Sequence, residues 1–406
     1  MQRLAILATL CFCLPAAASA YSVLTHEAII DSAWPNELRP LLLERFPNAT
    51  ADQLREAHAY AYGGAIIQDM GYYPFGSKFF SDLVHYARSG DFVIALLKDA
   101  RESQDINDYA FALGALAHYA ADNLGHPVAV NRTVPLVYPK LRAKFGPEIT
   151  YEDNPAAHLK TEFGFDVVEI ARGQYASEAY HDFIGFQVAK PLLERAFKET
   201  YCVDLKDLFG NLDLALGSYR FTVSQILPEM TKAAWSAKKK DIQTLQAGIT
   251  RRRFVYRISM TAYQKDFGNQ YRRPGFFARF LGFLFRLIPK IGPFKVFSFK
   301  VPPPAAEKLF LTSLDDTIRS YRELLAAVRE DRLQLVNENF DTGKPARFGD
   351  YRLADQAYAK LLERLAAKPA SISDQLRANV ISFYGPSGVP SSDKARAVLA
   401  GLKSGS

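Results

Sequence analysis

The stretch Ala112–Pro127, ALGALAHYAADNLGHP, decides how the rest of the chain is read. Alanine and leucine dominate it, nothing interrupts it before Pro127, and Asp105 or Asn107 can cap its start, so the pattern predicts a helix. His118, Asp122 and His126 recur at four-residue intervals. Four residues turn an α-helix by about 400°, so these side chains drift only about 40° per step and share one face. Two imidazoles and a carboxylate on an otherwise apolar helix are costly without a partner. A metal ion is the simplest partner. A pair of core histidines hydrogen-bonded around the aspartate is the other reading.

The 406-residue chain is 49% hydrophobic and 13% aromatic, ample for a large core or two domains. Residues 1–20 read as a signal peptide: Arg3, the apolar run Leu4–Leu14, then the small-residue site Ala18-Ser19-Ala20. Cleavage between Ala20 and Tyr21 predicts an exported protein, periplasmic or extracellular. Cys11 and Cys13 leave with the signal, so Cys202 alone remains and internal disulfides are excluded. The formal charge of +7 favours anionic surfaces, either membrane or nucleic acid. No apolar run after residue 20 is long enough to span a bilayer.

Helical periodicity dominates and strand alternation is scarce, so the expected fold class is all-α. The predicted helices are Thr25–Ala33, Asn36–Phe46, Ala51–Gln68, Phe92–Glu102, Ile106–Gly125, Pro155–Glu169, Tyr180–Tyr201, Asp204–Leu227, Met230–Phe267, Ala305–Glu330 and Tyr351–Ala367. Asn154 followed by Pro155 is a helix start, a cap and then a proline in the first turn.

Five of the seven histidines stand where they could converge. His26 lies just after the expected new N-terminus, Asp69 in a glycine-flanked loop, and His85 in SDLVHY. His158 and Glu162 share a helix face at i and i+4. Taken singly, each is an ordinary surface, core or turn residue. Spread over several helices of one bundle, they form the pattern from which helical bundles build metal sites. His58 and His181 have no place in it and read as structural or exposed. Tyr60, Tyr62, Tyr72, Tyr73 and Phe75 read as core or as pocket lining.

This ordered set, over roughly residues 21–200, resembles the zinc-dependent phospholipase C family, to which single-strand nucleases are structurally related. The resemblance implies a multi-helix bundle holding three zinc ions, with the free N-terminus of the mature chain as one ligand. It implies Asp69, His85, His118 and Asp122 as ligands of one zinc. The amino group and carbonyl of Tyr21, with His26 and a bridging Asp122, then hold a second, and His126, His158 and Glu162 a third. Nitrogen and oxygen donors of this mix suit zinc.

Two features depart from the family. Its mature chains usually begin with tryptophan, where this one has Tyr21. Its secreted phospholipases and nucleases place five residues between the central aspartate and the next histidine, where this chain has the three residues Asn123–Gly125. That shorter spacing is similar to the glycosylphosphatidylinositol-cleaving phospholipase D of the same broader group.

The implied activity is hydrolysis of a phosphodiester, a phospholipid first, with zinc-activated water attacking phosphorus and Asp69 orienting it or acting as general base. A secreted single-strand nuclease or nucleotidase of the same fold, and a non-catalytic metal-stabilised lipid-binding protein, are the alternatives.

The implied organisation is a signal peptide (1–20), a catalytic domain (21–270), a basic Phe/Pro-rich segment (271–304) and C-terminal helices packed on the main domain (305–406). Within Arg272–Lys300, seven basic residues alternate with eight phenylalanines. Phe276, Phe277, Arg279 and Phe280 are its candidate contacts to substrate or a membrane surface. An amphipathic helix and loop packed on the domain, or a single-stranded nucleic-acid contact, are the other readings. The stretch Asn337–Tyr351, NENFDTGKPARFGDY, reads as a polar loop with no assigned role.

Overall fold

The computed structural model describes residues 22–172, 186–223, 234–236, 239–240, 242–244, 248–254, 299–367 and 372–404. In chain order, the helices before the basic segment are α1 (Val23–Ala33), α2 (Arg39–Arg45), α3 (Ala51–Ile66), α4 (Lys78–Tyr86), α5 (Ser89–Ser103), α6 (Ile106–Leu124), α7 (Asn131–Val137), α8 (Pro139–Phe145), α9 (Pro155–Arg172), α10 (Lys190–Tyr201), α11 (Leu212–Phe221) and α12 (Arg251–Phe254). After it come α13 (Pro304–Arg329), a hairpin of β1 (Glu338–Asn339) and β2 (Lys344–Pro345), then α14 (Arg352–Leu365), α15 (Asp374–Tyr384) and α16 (Asp393–Ser404). The all-α expectation holds, and the chain carries further helices at its C-terminal end.

The centre of the fold is the crossing of α3 and α6. A capping box at Thr50 and Gln53 starts α3, and the Asp105 carboxylate accepts the Asn107 N–H at 2.7 Å to start α6. The crossing is set by two glycines. A Cβ on Gly64 would lie 1.9 Å from the Phe111 carbonyl oxygen, and one on Gly114 would lie 2.0 Å from that of Ala61. Backbone therefore rests on backbone. Nothing larger than hydrogen fits at either position.

The C-terminal helices share the core of this crossing. Phe310 and Tyr321 of α13, Tyr358 and Leu361 of α14, Phe383 of α15 and Leu399 of α16 belong to the buried cluster that contains Phe111 and Leu113. The Tyr321 hydroxyl donates to the Leu113 carbonyl at 2.9 Å, and Phe310 stacks on Phe165 at 4.5 Å between ring centroids. Each such buried ring or leucine stabilises by about 1.5–3 kcal/mol. Helices α13–α16 are thus structural partners of α3 and α6.

Several elements differ from the sequence expectation. Helix α6 stops at Leu124, and Gly125–Val130 forms a wider π-type turn, because Pro127 has no N–H to continue the regular ladder. His126 accordingly sits on this turn, past the helix end. Asp69 lies in a 3-10 turn, Ile67–Tyr72, that prolongs α3. Helix α10 starts only at Lys190, with Pro191 in its first turn, and residues 186–189 ahead of it are not helical. The expected 204–227 helix is broken after Leu208, and Asn211 caps a fresh start at Leu212. Short helices α4, α7 and α8 and the hairpin fall outside the expected elements, while α14, α15 and α16 lie within the C-terminal helices expected over 305–406.

The 230–267 expectation lies mostly outside the described residues, as do Phe276, Phe277, Arg279 and Phe280. At the end of that segment Phe299 is buried against Phe163, 5.4 Å between centroids. Among the described residues, no helix is long and apolar enough to cross a membrane.

Candidate metal centre

His118 and Asp122 project from α6 into the core, where both are fully buried. The His118 Nδ1–H donates to the Ala65 carbonyl at 2.9 Å, near the end of α3. Because a carbonyl only accepts, that contact fixes the tautomer and leaves Nε2 bare. His85, in the last turn of α4, is held the same way by the Ser81 carbonyl at 2.8 Å. The two Nε2 atoms face each other at 3.4 Å. They stand 3.2 Å (His118) and 3.4 Å (His85) from Asp122 Oδ2, and Asp69 Oδ1 lies 3.3 Å from His85 Nε2.

A tetrahedron of donors about 2.0–2.1 Å from a zinc ion has edges of about 3.3–3.4 Å. The four distances above, 3.2–3.4 Å, fit that figure. The chemistry fits as well. Both oxygens of Asp69 and of Asp122 are buried, with no hydrogen bond among the described residues. Buried carboxylates in that state require a cation.

Asp122 faces two ways. Its Oδ1 lies 3.5 Å from Nε2 of His26, on α1, and the His26 ring stacks on His118 at 4.6 Å. His26, Asp69 and His118 form a second group able to hold an ion. A third group combines His126, His158 and Asp341. Here His126 Nδ1 lies 3.4 Å from His158 Nε2 and 3.1 Å from Asp341 Oδ1. The other nitrogen of His126 looks back toward Asp122 at 3.8 Å, so the third group adjoins the first.

Electrostatics reflect protons standing in for cations. Burial and the neighbouring His118 ring hold His26 down at about 4. Burial also opposes charge on His85, but the Asp122 and Asp69 carboxylates prevail and raise it to about 9. His126, likewise buried, is raised to about 10 by Asp122 and Asp341. Burial would raise Asp341, but the His126 and His158 imidazoles bring it down to about 2.

With its metal removed, the protein therefore carries protons on His85 and His126 at neutral pH, and an incoming ion must displace them. Zinc uptake near pH 7.5 should release about two protons per chain. Apparent affinity should rise with pH until these histidines titrate by themselves, near 9–10. Calorimetry in buffers of different ionisation enthalpy reads the proton count; uptake with no proton release would contradict this picture.

The remaining sequence candidates fall into place around this core. Glu162 accepts from the Nδ1–H of His158 at 2.7 Å, one turn along α9. Tyr21 lies outside the described residues, but Thr25 Oγ1 donates to Asp166 at 2.8 Å and ties α1 to α9. His58 stacks on Trp34 at 3.8 Å and meets Asp31 at 3.0 Å, a structural role, and His181 lies outside the described residues. Tyr62, Tyr72 and Tyr73 are buried, and Phe75 is exposed.

Asp341 was missed. It follows β1 in a hairpin whose sequence, NENFDTGKPAR, carries only turn chemistry, and no spacing rule ties it to His126 or His158.

Compared with known proteins, the chain matches the model of the family described as zinc dependent phospholipase C over residues 25–211. No curated protein and no solved structure gives a match. The matched span holds all five histidines of the centre and leaves Asp341 outside it.

Proposed function

We propose that this chain is an exported phosphodiester hydrolase that cleaves a phospholipid at its phosphate, since residues 25–211 match the zinc dependent phospholipase C family, a family of hydrolases. The observation that supports the proposal is the set of three adjoining buried His/Asp groups, two of which contain His118 and the third of which faces Asp122 through His126, consistent with a trinuclear zinc site. Zinc, when bound, supplies Lewis acidity toward phosphate oxygens and lowers the pKa of water into the neutral range.

The protein's own groups set the geometry. The Ala65 and Ser81 carbonyls lock the His118 and His85 rings, so Nε2 of each stays aimed at one point. Asp122 ties neighbouring positions together through its two oxygens. Asp69 sits at the edge of the same point with both oxygens uncommitted among the described residues. Its carboxylate would orient the attacking water and take its proton. Export follows from the reading of residues 1–20, with cleavage at Ala20/Tyr21 leaving a new amino group close in sequence to His26.

The test uses mature protein whose N-terminus is verified as Tyr21, incubated with phosphatidylcholine vesicles and, separately, with single-stranded DNA and RNA. Lipid turnover is expected, lost by at least about 100-fold on chelation and restored by zinc. Mass spectrometry of the products tells cleavage on the glycerol side of the phosphate from cleavage on the headgroup side. Nucleic-acid cleavage with untouched lipid would reject the substrate class. Vesicle binding by zinc-loaded protein without turnover of any phosphodiester would reject the enzyme.

A further inference from the structure

We infer that the third metal position is completed from outside the phospholipase C domain, with Asp341 of the C-terminal hairpin as its carboxylate ligand and Glu162 as a positioning residue for His158. The inference rests on the zinc-centre reading above but not on the choice of substrate.

The first support is the division of labour on His158. Glu162 takes its Nδ1–H at 2.7 Å, so the nitrogen left for coordination is Nε2. That nitrogen points toward His126 Nδ1 at 3.4 Å and Asp341 Oδ1 at 3.6 Å, and the third edge, His126 Nδ1 to Asp341 Oδ1, is 3.1 Å. The three edges bracket the figure of about 3.4 Å expected around a tetrahedral zinc. The carboxylate–histidine pair of Glu162 and His158 is the usual outer support of such a ligand.

The second support is how Asp341 is held. Its Oδ2 accepts the Tyr151 N–H at 2.9 Å and the Tyr351 hydroxyl at 2.6 Å. Its own N–H donates to Asn339 Oδ1 at 2.9 Å, and its carbonyl accepts from Asn131 Nδ2 at 2.6 Å. Every polar atom of the residue is committed except Oδ1, which is buried beside the two histidines with no hydrogen bond among the described residues. The side chain is 1% exposed. Such a locked, fully buried carboxylate oxygen needs a cation in front of it. Asn131 Oδ1, 2.8 Å from His158 Nε2, lies at the same place and can serve as a further oxygen donor.

The neighbouring hairpin residue supports the same placement. The Phe340 N–H donates to the His85 carbonyl at 3.1 Å, and its ring packs edge-on against His85 at 5.4 Å. The hairpin is thereby docked on the first group as well as the third.

The test counts zinc per chain after equilibration with a competing chelator. Asp341→Asn keeps the size of the side chain, and its amide oxygen can still accept from Tyr151 and Tyr351, which turns the non-coordinating NH2 toward the histidines. Wild type should retain three ions and D341N two. D341H, which restores a donor, should recover the third. E162Q should retain three, with the third more easily stripped, by about 10–100-fold.

Three ions in D341N, with chelator competition as in wild type, would overturn the assignment. Loss of all three from D341N and D341H alike would overturn it too, marking the hairpin as a brace with no ligand. Wild type without zinc would instead sink the zinc-centre reading itself.

Discussion

Asp122→Asn should abolish bound zinc and phosphodiester hydrolysis together. The Asp122 carboxylate lies 3.2–3.8 Å from nitrogens of His26, His85, His118 and His126, so it touches all three metal-binding groups. An amide of the same shape supplies one neutral oxygen where two charged ones stood. Loss of a supporting residue alone costs such a site about 10–100-fold in affinity, and loss of a bridging ligand should exceed that. Activity should fall below detection. The metal-free variant should also be less stable than metal-free wild type at neutral pH. His85 and His126, raised to about 9 and 10 by their carboxylates, lose a counter-charge while still buried. Zinc analysis with parallel assays checks the first part, and melting of chelated protein checks the second. Full activity with three ions bound would reject the bridging role.

The second large effect is expected far from any charged group. Gly114→Ala puts a Cβ 2.0 Å from the Ala61 carbonyl oxygen and 2.9 Å from the Ala65 nitrogen, and backbone cannot swing aside as a side chain can. Helices α3 and α6 must part by about 1 Å to relieve the contact. Overpacking of this kind costs about 1–3 kcal/mol, and the upper end or more applies here. The melting temperature should fall by roughly 3–5 °C. Because the Ala65 carbonyl also fixes the His118 ring, zinc affinity should drop with it. Gly217 of α11 is the control: a Cβ there meets nothing within 4 Å, and Gly217→Ala should stabilise by about 0.5–1 kcal/mol. If G114A melts and binds zinc like wild type, the crossing does not position the site.

The sequence carried those parts of the centre whose geometry is local. His118 and Asp122 lie one helical turn apart on an uninterrupted Ala/Leu helix, so their shared face follows from the repeat alone. His158 and Glu162 were legible as a pair for the same reason, although the repeat could not tell which ring nitrogen Glu162 takes. His126 follows the expected helix Ile106–Gly125, and the wide turn that Pro127 opens still leaves it facing Asp122 at 3.8 Å, as the four-residue spacing implies. Helix α4, which carries His85, has nine residues, too few to show a periodic signal beside the turn that precedes it. The hairpin was invisible for a similar reason: strands of two residues have no alternation to read. Asp341 reaches the centre through tertiary contacts alone, with Tyr151, Tyr351 and Asn131, and no local pattern encodes those.

The docking of that hairpin also bears on when the protein matures. Phe340 and Asp341 fall in the last fifth or so of the chain, yet they lie against His85, His126 and His158. During synthesis the histidines emerge long before the hairpin, and closing so long a loop carries an entropic cost that only the finished packing of α13 and α14 offsets. A nascent chain would hold an open half-site, and tight cation capture would become the final act of folding. Fragments that stop near residue 211 would emerge in that premature state, however well their helices form.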